Sequence, residues 1–289
     1  MRAFAKFILA GRRNAIFIAA FFGAVSVYSS PLSVFSATAI ALVALSKGFG
    51  EAFYVVGVSA ILIEIFLTFS PASTSLPFPV VFALWVPVLV GAWFLRESAS
   101  QSSALAAVAG VCAVFVLGMH LVIGDVVAWW AQWFQQAIPA FSDQTGGEIG
   151  PVDFVRLANG FAAMFLGFGA MLTLFFTRWI QAALFNPGGF SREFMVLKLP
   201  RTLLIGILLL LVVTGSFNQQ MMSDLFMVSL MLYFFQGLCV LHAFVVHRQL
   251  SRHWLIAPYL GLFLLPQILV PGMALMGVAD SIVDFRSRQ

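Results

Sequence analysis

The chain has 289 residues, 62% of them hydrophobic and 9% charged, with a formal net charge of +4. A soluble domain carries roughly 25% charged residues, and surface-to-volume scaling gives a soluble fold of this size nowhere to hide so much apolar surface. The composition therefore excludes a soluble globular domain and reads as an integral membrane protein. The charge is also too small and too scattered for a nucleic-acid footprint.

Residues 1–13 carry Arg2, Lys6, Arg12 and Arg13 ahead of an apolar run. Further apolar runs follow at once and no small-residue cleavage site ends the first, so it reads as an uncleaved anchor with a cytoplasmic N-terminus. Nine apolar segments are expected near 14–30, 32–46, 52–69, 78–95, 102–124, 154–180, 201–217, 222–247 and 254–278. Most approach the ~20 residues a spanning helix needs. The runs are continuous rather than alternating, which excludes a transmembrane barrel. The expected fold is an all-α, polytopic helical bundle in one domain, with eight or nine transmembrane helices. Its front part is 1–124, its extracytoplasmic loop 125–153 and its back part 154–289.

Lys and Arg set the expected sidedness. The connections near Lys47, Arg96, 178–201 and 248–252 fall inside. The loop 125–153, with Asp125, Asp143, Glu148, Asp153 and no Lys or Arg, falls outside. Nine spans would place the tail outside despite Arg286 and Arg288. Either Pro258, Pro266 and Pro271 break the last segment into a re-entrant pair or one early segment does not span, and the side of the C-terminus stays open.

Within the outer loop, Trp130, Trp133 and Phe134 share one helical face. They belong either to an interfacial helix in the aromatic belt or to a lid. Residues 142–151 read as a loop. Small residues recur at helical spacing in Ala15/Ala19/Gly23, Ser33/Ala37/Ala41 and Gly160/Ala163/Gly167/Ala170, where another helix, of this chain or a partner, can approach closely.

The sixth segment is long enough to leave the membrane before Asn186-Pro187-Gly188-Gly189 stops it: Pro cannot continue a helix, and glycines allow the turn. Residues 190–199 then read as a short cytoplasmic amphipathic segment. Phe190, Phe194, Leu197 and Leu199 are its apolar positions, and Arg192, Glu193 and Lys198 its polar ones. About fifteen residues exceed the 2–8 of a plain helix–helix connection. Asn186, Pro187, Gly188, Gly189, Phe190, Arg192, Glu193 and Lys198 are therefore candidates for docking a cytoplasmic partner.

Three polar residues inside apolar segments are candidate substrate contacts. Glu64 is expected to face the bundle interior, as a ligand or proton site or as a carboxyl that ties helices together. Gln236 and His242 lie on nearly opposite faces of the eighth segment. His242, His247 and His253 lack the spacing of metal ligands. Cys112 and Cys239 are far from any ligand or disulfide spacing. No nucleophile–base pair, phosphate loop or zinc motif is visible, so no enzyme activity, catalytic residue, metal or cofactor is expected.

Trp179, Gln181, Ala182, Asn186–Phe190, Glu193, Phe194 and Leu197–Leu199, followed by Gln236–Leu238 and then Gly277, Asp280 and Asp284–Arg286, form an ordered pattern over the C-terminal half. It resembles the DUF2232, or YybS-like, family of bacterial membrane proteins, which is distantly similar to the S components of energy-coupling-factor vitamin transporters. The resemblance implies a bacterial inner-membrane protein and makes Asp280, Asp284 and Arg286 a family-motif tail. It also implies a front part that binds a small molecule and an Ala-x-x-x-Ala face (Ala15/Ala19 or Ala37/Ala41) that docks a membrane coupling subunit. Two functions follow as expectations: transport-related binding around Glu64, or a scaffold that docks a soluble partner through 186–201.

Overall fold

The structure is a computed structural model and describes residues 1–70, 80–137 and 152–283. Every regular element among them is helical: α1 (Arg2–Leu9), α2 (Arg12–Val25), α3 (Ser33–Lys47), α4 (Phe49–Thr68), α5 (Val80–Ser98), α6 (Gln101–Gly118), α7 (Val126–Ala137), α8 (Val152–Phe185), α9 (Gly189–Met195), α10 (Arg201–Phe217), α11 (Gln219–His247), α12 (Ile256–Leu264) and α13 (Pro266–Val283). A π-helical turn, Met119–Ile123, extends α6. Breaks fall where the chemistry demands them. Gly48 (φ 107°) and Gly124 (φ 76°) adopt backbone angles that favour glycine. Asn218 caps α11 by accepting from the Met221 amide at 3.0 Å.

Seven of the described helices are long and apolar enough to cross a membrane, against the eight or nine expected; α1 and α2, bent by 117° at Gly11, make an eighth if the pair is one span. The protein is a multi-pass membrane protein. The first apolar run falls short because α2 has 14 residues, about 21 Å at 1.5 Å per residue, against a hydrocarbon core of about 30 Å. α10 stops at 17 residues. The last apolar segment is broken before Pro266, leaving the 9-residue α12 ahead of α13, which is itself among the seven.

The 34-residue α8 runs through the centre beside α11. A Cβ on Gly160 would stand 3.1 Å from Asp224 Cα, and one on Gly167 would stand 2.4 Å from Met231 Cε. Seven residues along one helix match seven along the other, so the two run parallel. The small-residue stripe of α8 is thus filled by this chain's own α11. Ala15, Ala19, Ala37 and Ala41 are likewise fully or almost fully buried. The Ala-x-x-x-Ala faces implied by the resemblance are therefore occupied by internal packing and are not free to dock a coupling subunit. Helices α11 and α13 approach closest: a Cβ on Gly237 would lie 1.9 Å from the Met273 carbonyl oxygen, and one on Gly277 2.1 Å from that of Tyr233.

One end of the bundle gathers basic residues. Arg12 forms an ion pair with Glu51, its Nε donating to Oε2 at 2.6 Å. Arg96 donates to the Ala44 carbonyl at 2.7 Å, satisfying an orphan acceptor at the end of α3. Arg201 donates to the carbonyls of Ser281 (3.0 Å) and Ile282. Arg178 and Lys198 lie at this same basic end.

Candidate functional site

The stretch 178–201 builds an elbow across the basic end. Helix α8 stops at Phe185; the Asn186 amide still bonds the Ala182 carbonyl (2.8 Å), and the Gly189 amide bonds the Asn186 carbonyl (2.9 Å). Gly188 takes φ 83°, the left-handed region, and restarts the chain as α9. The expected amphipathic helix is shorter than 190–199. After a turn at Val196 the chain leaves the helix as a strap, because the amides of Lys198 and Leu199 are taken by other elements. Lys198 N–H donates to Ser102 Oγ at 2.9 Å and Leu199 N–H to Gln236 Oε1 at 3.2 Å. Leu197 and Leu199 are buried.

Glu193, expected as an outward polar position, is turned inward. It holds Arg178 in a two-pronged ion pair (Nε to Oε2 2.8 Å, Nη2 to Oε1 2.5 Å). Both side chains are about a quarter exposed, 23% and 25%. Arg178 also donates to Gln181 Oε1 at 2.6 Å, and Gln181 Nε2 donates to Ser46 Oγ at 3.4 Å. Trp179 faces the cleft described below. Asn186, Pro187 and Gly188 are exposed at the bend, and Arg192 is exposed on α9. Lys198 is half-buried and Gly189 buried, the latter under the Asn186 side chain.

Gln236 is fully buried and its amide is used at both ends. Nε2 donates to Asp280 Oδ2 at 2.8 Å; Oε1 accepts from Leu199 N–H and from Ser281 Oγ at 3.1 Å. Gln236 and Asp280 thus tie α11, α13 and the strap together. Asp284 and Arg286 lie outside the described residues.

A cleft of about 620 Å³ opens between the elbow and α11, within the ~300–1,000 Å³ usual for small-molecule sites. Phe175, Trp179, Phe190 and Phe194 form its aromatic side; His242 and Tyr259 form its polar side, and Arg2 stands at its edge. Phe194 packs edge-on against His242, ring centroids 5.4 Å apart. His242 Nδ1 lies 2.9 Å from the Leu238 carbonyl, which only accepts, so Nδ1 carries a proton; Nε2 then accepts from Tyr259 Oη at 3.2 Å. The site can stack a flat apolar body and offer a polar tip to one edge of it.

Of the three expected substrate contacts, only His242 lines this cleft. Glu64 corrects the expectation most plainly: it is exposed, on the outward face of α4 among Ile61, Ile65 and Phe66, not in the interior. Helix α4 packs on α2 and α3 through Ala52, Val55, Ser59, Ile63 and Leu67; Glu64 is off that stripe. It also stands four residues from the helix end, where a carboxylate can reach an interface, so it needs no internal partner.

A second polar cluster, at the opposite end, was not foreseen. Asp224 Oδ2 meets His120 Nε2 at 2.8 Å and accepts from Asn159 Nδ2 at 2.8 Å; Oδ1 accepts from Gln220 Nε2 at 3.2 Å. Trp130 Nε1, on α7, donates to Asn159 Oδ1 at 3.3 Å. The His120 and Asp224 side chains are 4% and 1% exposed. His120 sits on the π-helical turn, and its Nδ1 has no partner among the described residues. Each residue looks in sequence like a polar end of an apolar run; the signal that marks them is only that four such ends are polar.

Comparisons with protein-family models, with curated proteins and with solved structures find no match.

Proposed function

We propose that the protein is a non-enzymatic, transport-related, S-component-like protein of the bacterial inner membrane that binds a small molecule in the aromatic cleft, with its basic end in the cytoplasm. The cleft carries this reading: it has the volume of a ligand site, an aromatic side, and a polar edge at His242 and Tyr259. The basic residues at that end support the cytoplasmic orientation, and the DUF2232-like pattern supports the bacterial membrane assignment. Mass spectrometry of small molecules co-purified from native membranes is the test. Wild-type protein should carry a bound compound that His242→Ala and Trp179→Ala lose while remaining folded. Retention by both variants would move the site elsewhere. Orientation is checked by single cysteines at Gln135 and Ser191 in a protein lacking Cys112 and Cys239; an impermeant thiol reagent on intact spheroplasts should reach the first and spare the second.

A scaffold role is the second reading, favoured by one observation: α9 and the strap turn Ser191, Arg192 and Val196 outward, Val196 at 74% exposure. Arg192→Glu should then abolish recovery of a soluble partner and leave small-molecule retention unchanged.

A further inference from the structure

Away from the elbow cleft, helices α6 and α10 both lean on α11 and leave a groove between them. Its floor is buried Leu225, Val228 and Leu232 of α11, and its walls include Ala109 and Ala113 of α6 and Ile207 and Leu211 of α10. The slot holds about 250 Å³. Gly110 and Gly206 stand on the facing walls, and a Cβ built on either would meet no atom within 4 Å. Helix packing needs no glycine there. Both are exposed, so the slot opens sideways, toward the bilayer.

The groove changes character at the basic end. Through Ala106 and Leu203, which line both spaces, it runs into a mouth of about 440 Å³ bordered by Ser102, Ser103, Pro200 and Thr202. Arg201 stands between Pro200 and Thr202 in the chain; it donates to the carbonyls of Ser281 and Ile282, which leave its positive charge unneutralised. From Ser102 to Ala113 is about 16 Å at 1.5 Å per residue. That is half of the ~30 Å hydrocarbon core, the depth of one leaflet.

We propose that this groove is a lipid site: one acyl chain of an anionic phospholipid, from the leaflet at the basic end, lies between α6 and α10 with its headgroup at the hydroxyl-lined mouth. The chain fits because the slot is apolar and one leaflet deep. The headgroup fits because hydroxyls can donate to a phosphate and Arg201, the residue between Pro200 and Thr202, carries a positive charge. Small residues on α6 and the two glycines keep the slot open; leucines on α10 close its far side.

The test fills the slot without straining the fold. Gly110→Leu and Gly206→Leu each send a side chain into open space and replace glycine with a better helix former, so thermal stability in detergent should hold or rise. Native mass spectrometry after exchange into mild detergent, with dioleoyl phosphatidylglycerol or dioleoyl phosphatidylcholine supplied, reads occupancy. Wild type should retain one phosphatidylglycerol per chain in at least tenfold preference to phosphatidylcholine. The Gly110→Leu/Gly206→Leu protein should lose it at least tenfold. Ser103→Ala with Thr202→Val should lower retention of both lipids, because the hydroxyls meet the phosphate that the two share. Equal retention by wild type and the filled protein would overturn the site, as would a wild type that retains no lipid. A dimer that the filling converts to monomer, with no lipid bound, would assign the groove to a second copy instead. Equal retention of the two lipids by wild type would overturn the anionic headgroup.

Discussion

The two ends of the bundle each carry a polar network, and water separates them. At the basic end the Arg178–Glu193 pair is about a quarter exposed and is backed by Gln181 and Ser46. At the opposite end His120, Asp224, Asn159 and Gln220 form a network of similar size in which the two titratable side chains are nearly sealed. Similar bonds have different consequences in the two places. A sealed polar group that loses its partner keeps the whole desolvation cost, whereas a wetted one recovers solvent. The sealed network joins four elements, the π-turn, α7, α8 and α11, and so should govern stability. The wetted one lies at the elbow, where solvent can take over a lost bond.

The sharpest way to break this contrast is Asp224→Ala. It takes the partner from His120 Nε2 and Asn159 Nδ2, while Gln220 keeps the Arg156 carbonyl, and should cost about 3–5 kcal/mol in thermal or denaturant unfolding in detergent. A loss as small as that of an exposed pair would erase the distinction between the ends. Gln236→Leu comes next. It orphans the Leu199 amide and takes one partner each from Asp280 and from Ser281, whose hydroxyl keeps the Gly277 carbonyl, in a dry place that nevertheless belongs to the basic end, and about 1–3 kcal/mol is expected. A value near that for Asp224 would show that burial, not which end, sets the cost. Gly188→Ala tests the elbow's backbone alone: a side chain at φ 83° costs about 1–2 kcal/mol, with no polar group disturbed. Arg178→Ala should be mildest, at most about 1 kcal/mol after solvent screening, and the loss should shrink further in high salt. A loss of several kcal/mol there would mean the elbow is structural before it is functional.

Local chemistry made the elbow legible. The stop at Asn186–Gly189 and the apolar anchors Phe190 and Phe194 follow from proline, glycine and spacing, and the structure places all of them so. The shortened α9 was not legible, since Ser102 and Gln236, which take the strap's amides, are 96 and 37 residues away from Lys198 and Leu199. Glu64 was misread for a related reason. Hydropathy gives depth along a helix, but which side faces the bundle depends on neighbours, and α4 has them on one side only.

Composition and periodicity alone determined that this is an all-helical, multi-pass membrane protein with a polar elbow after its longest helix, because backbone hydrogen bonding in an apolar medium leaves helices as the solution for continuous apolar runs. The orientation of each helix about its axis was decided only by tertiary packing. That packing brought His120, Asn159 and Asp224 together across 104 residues, folded the alanine faces inward, and left Gly110 and Gly206 facing an open groove. In a membrane the apolar medium does not distinguish a helix face that meets another helix from one that meets lipid, so only shape and polar partners could make that choice.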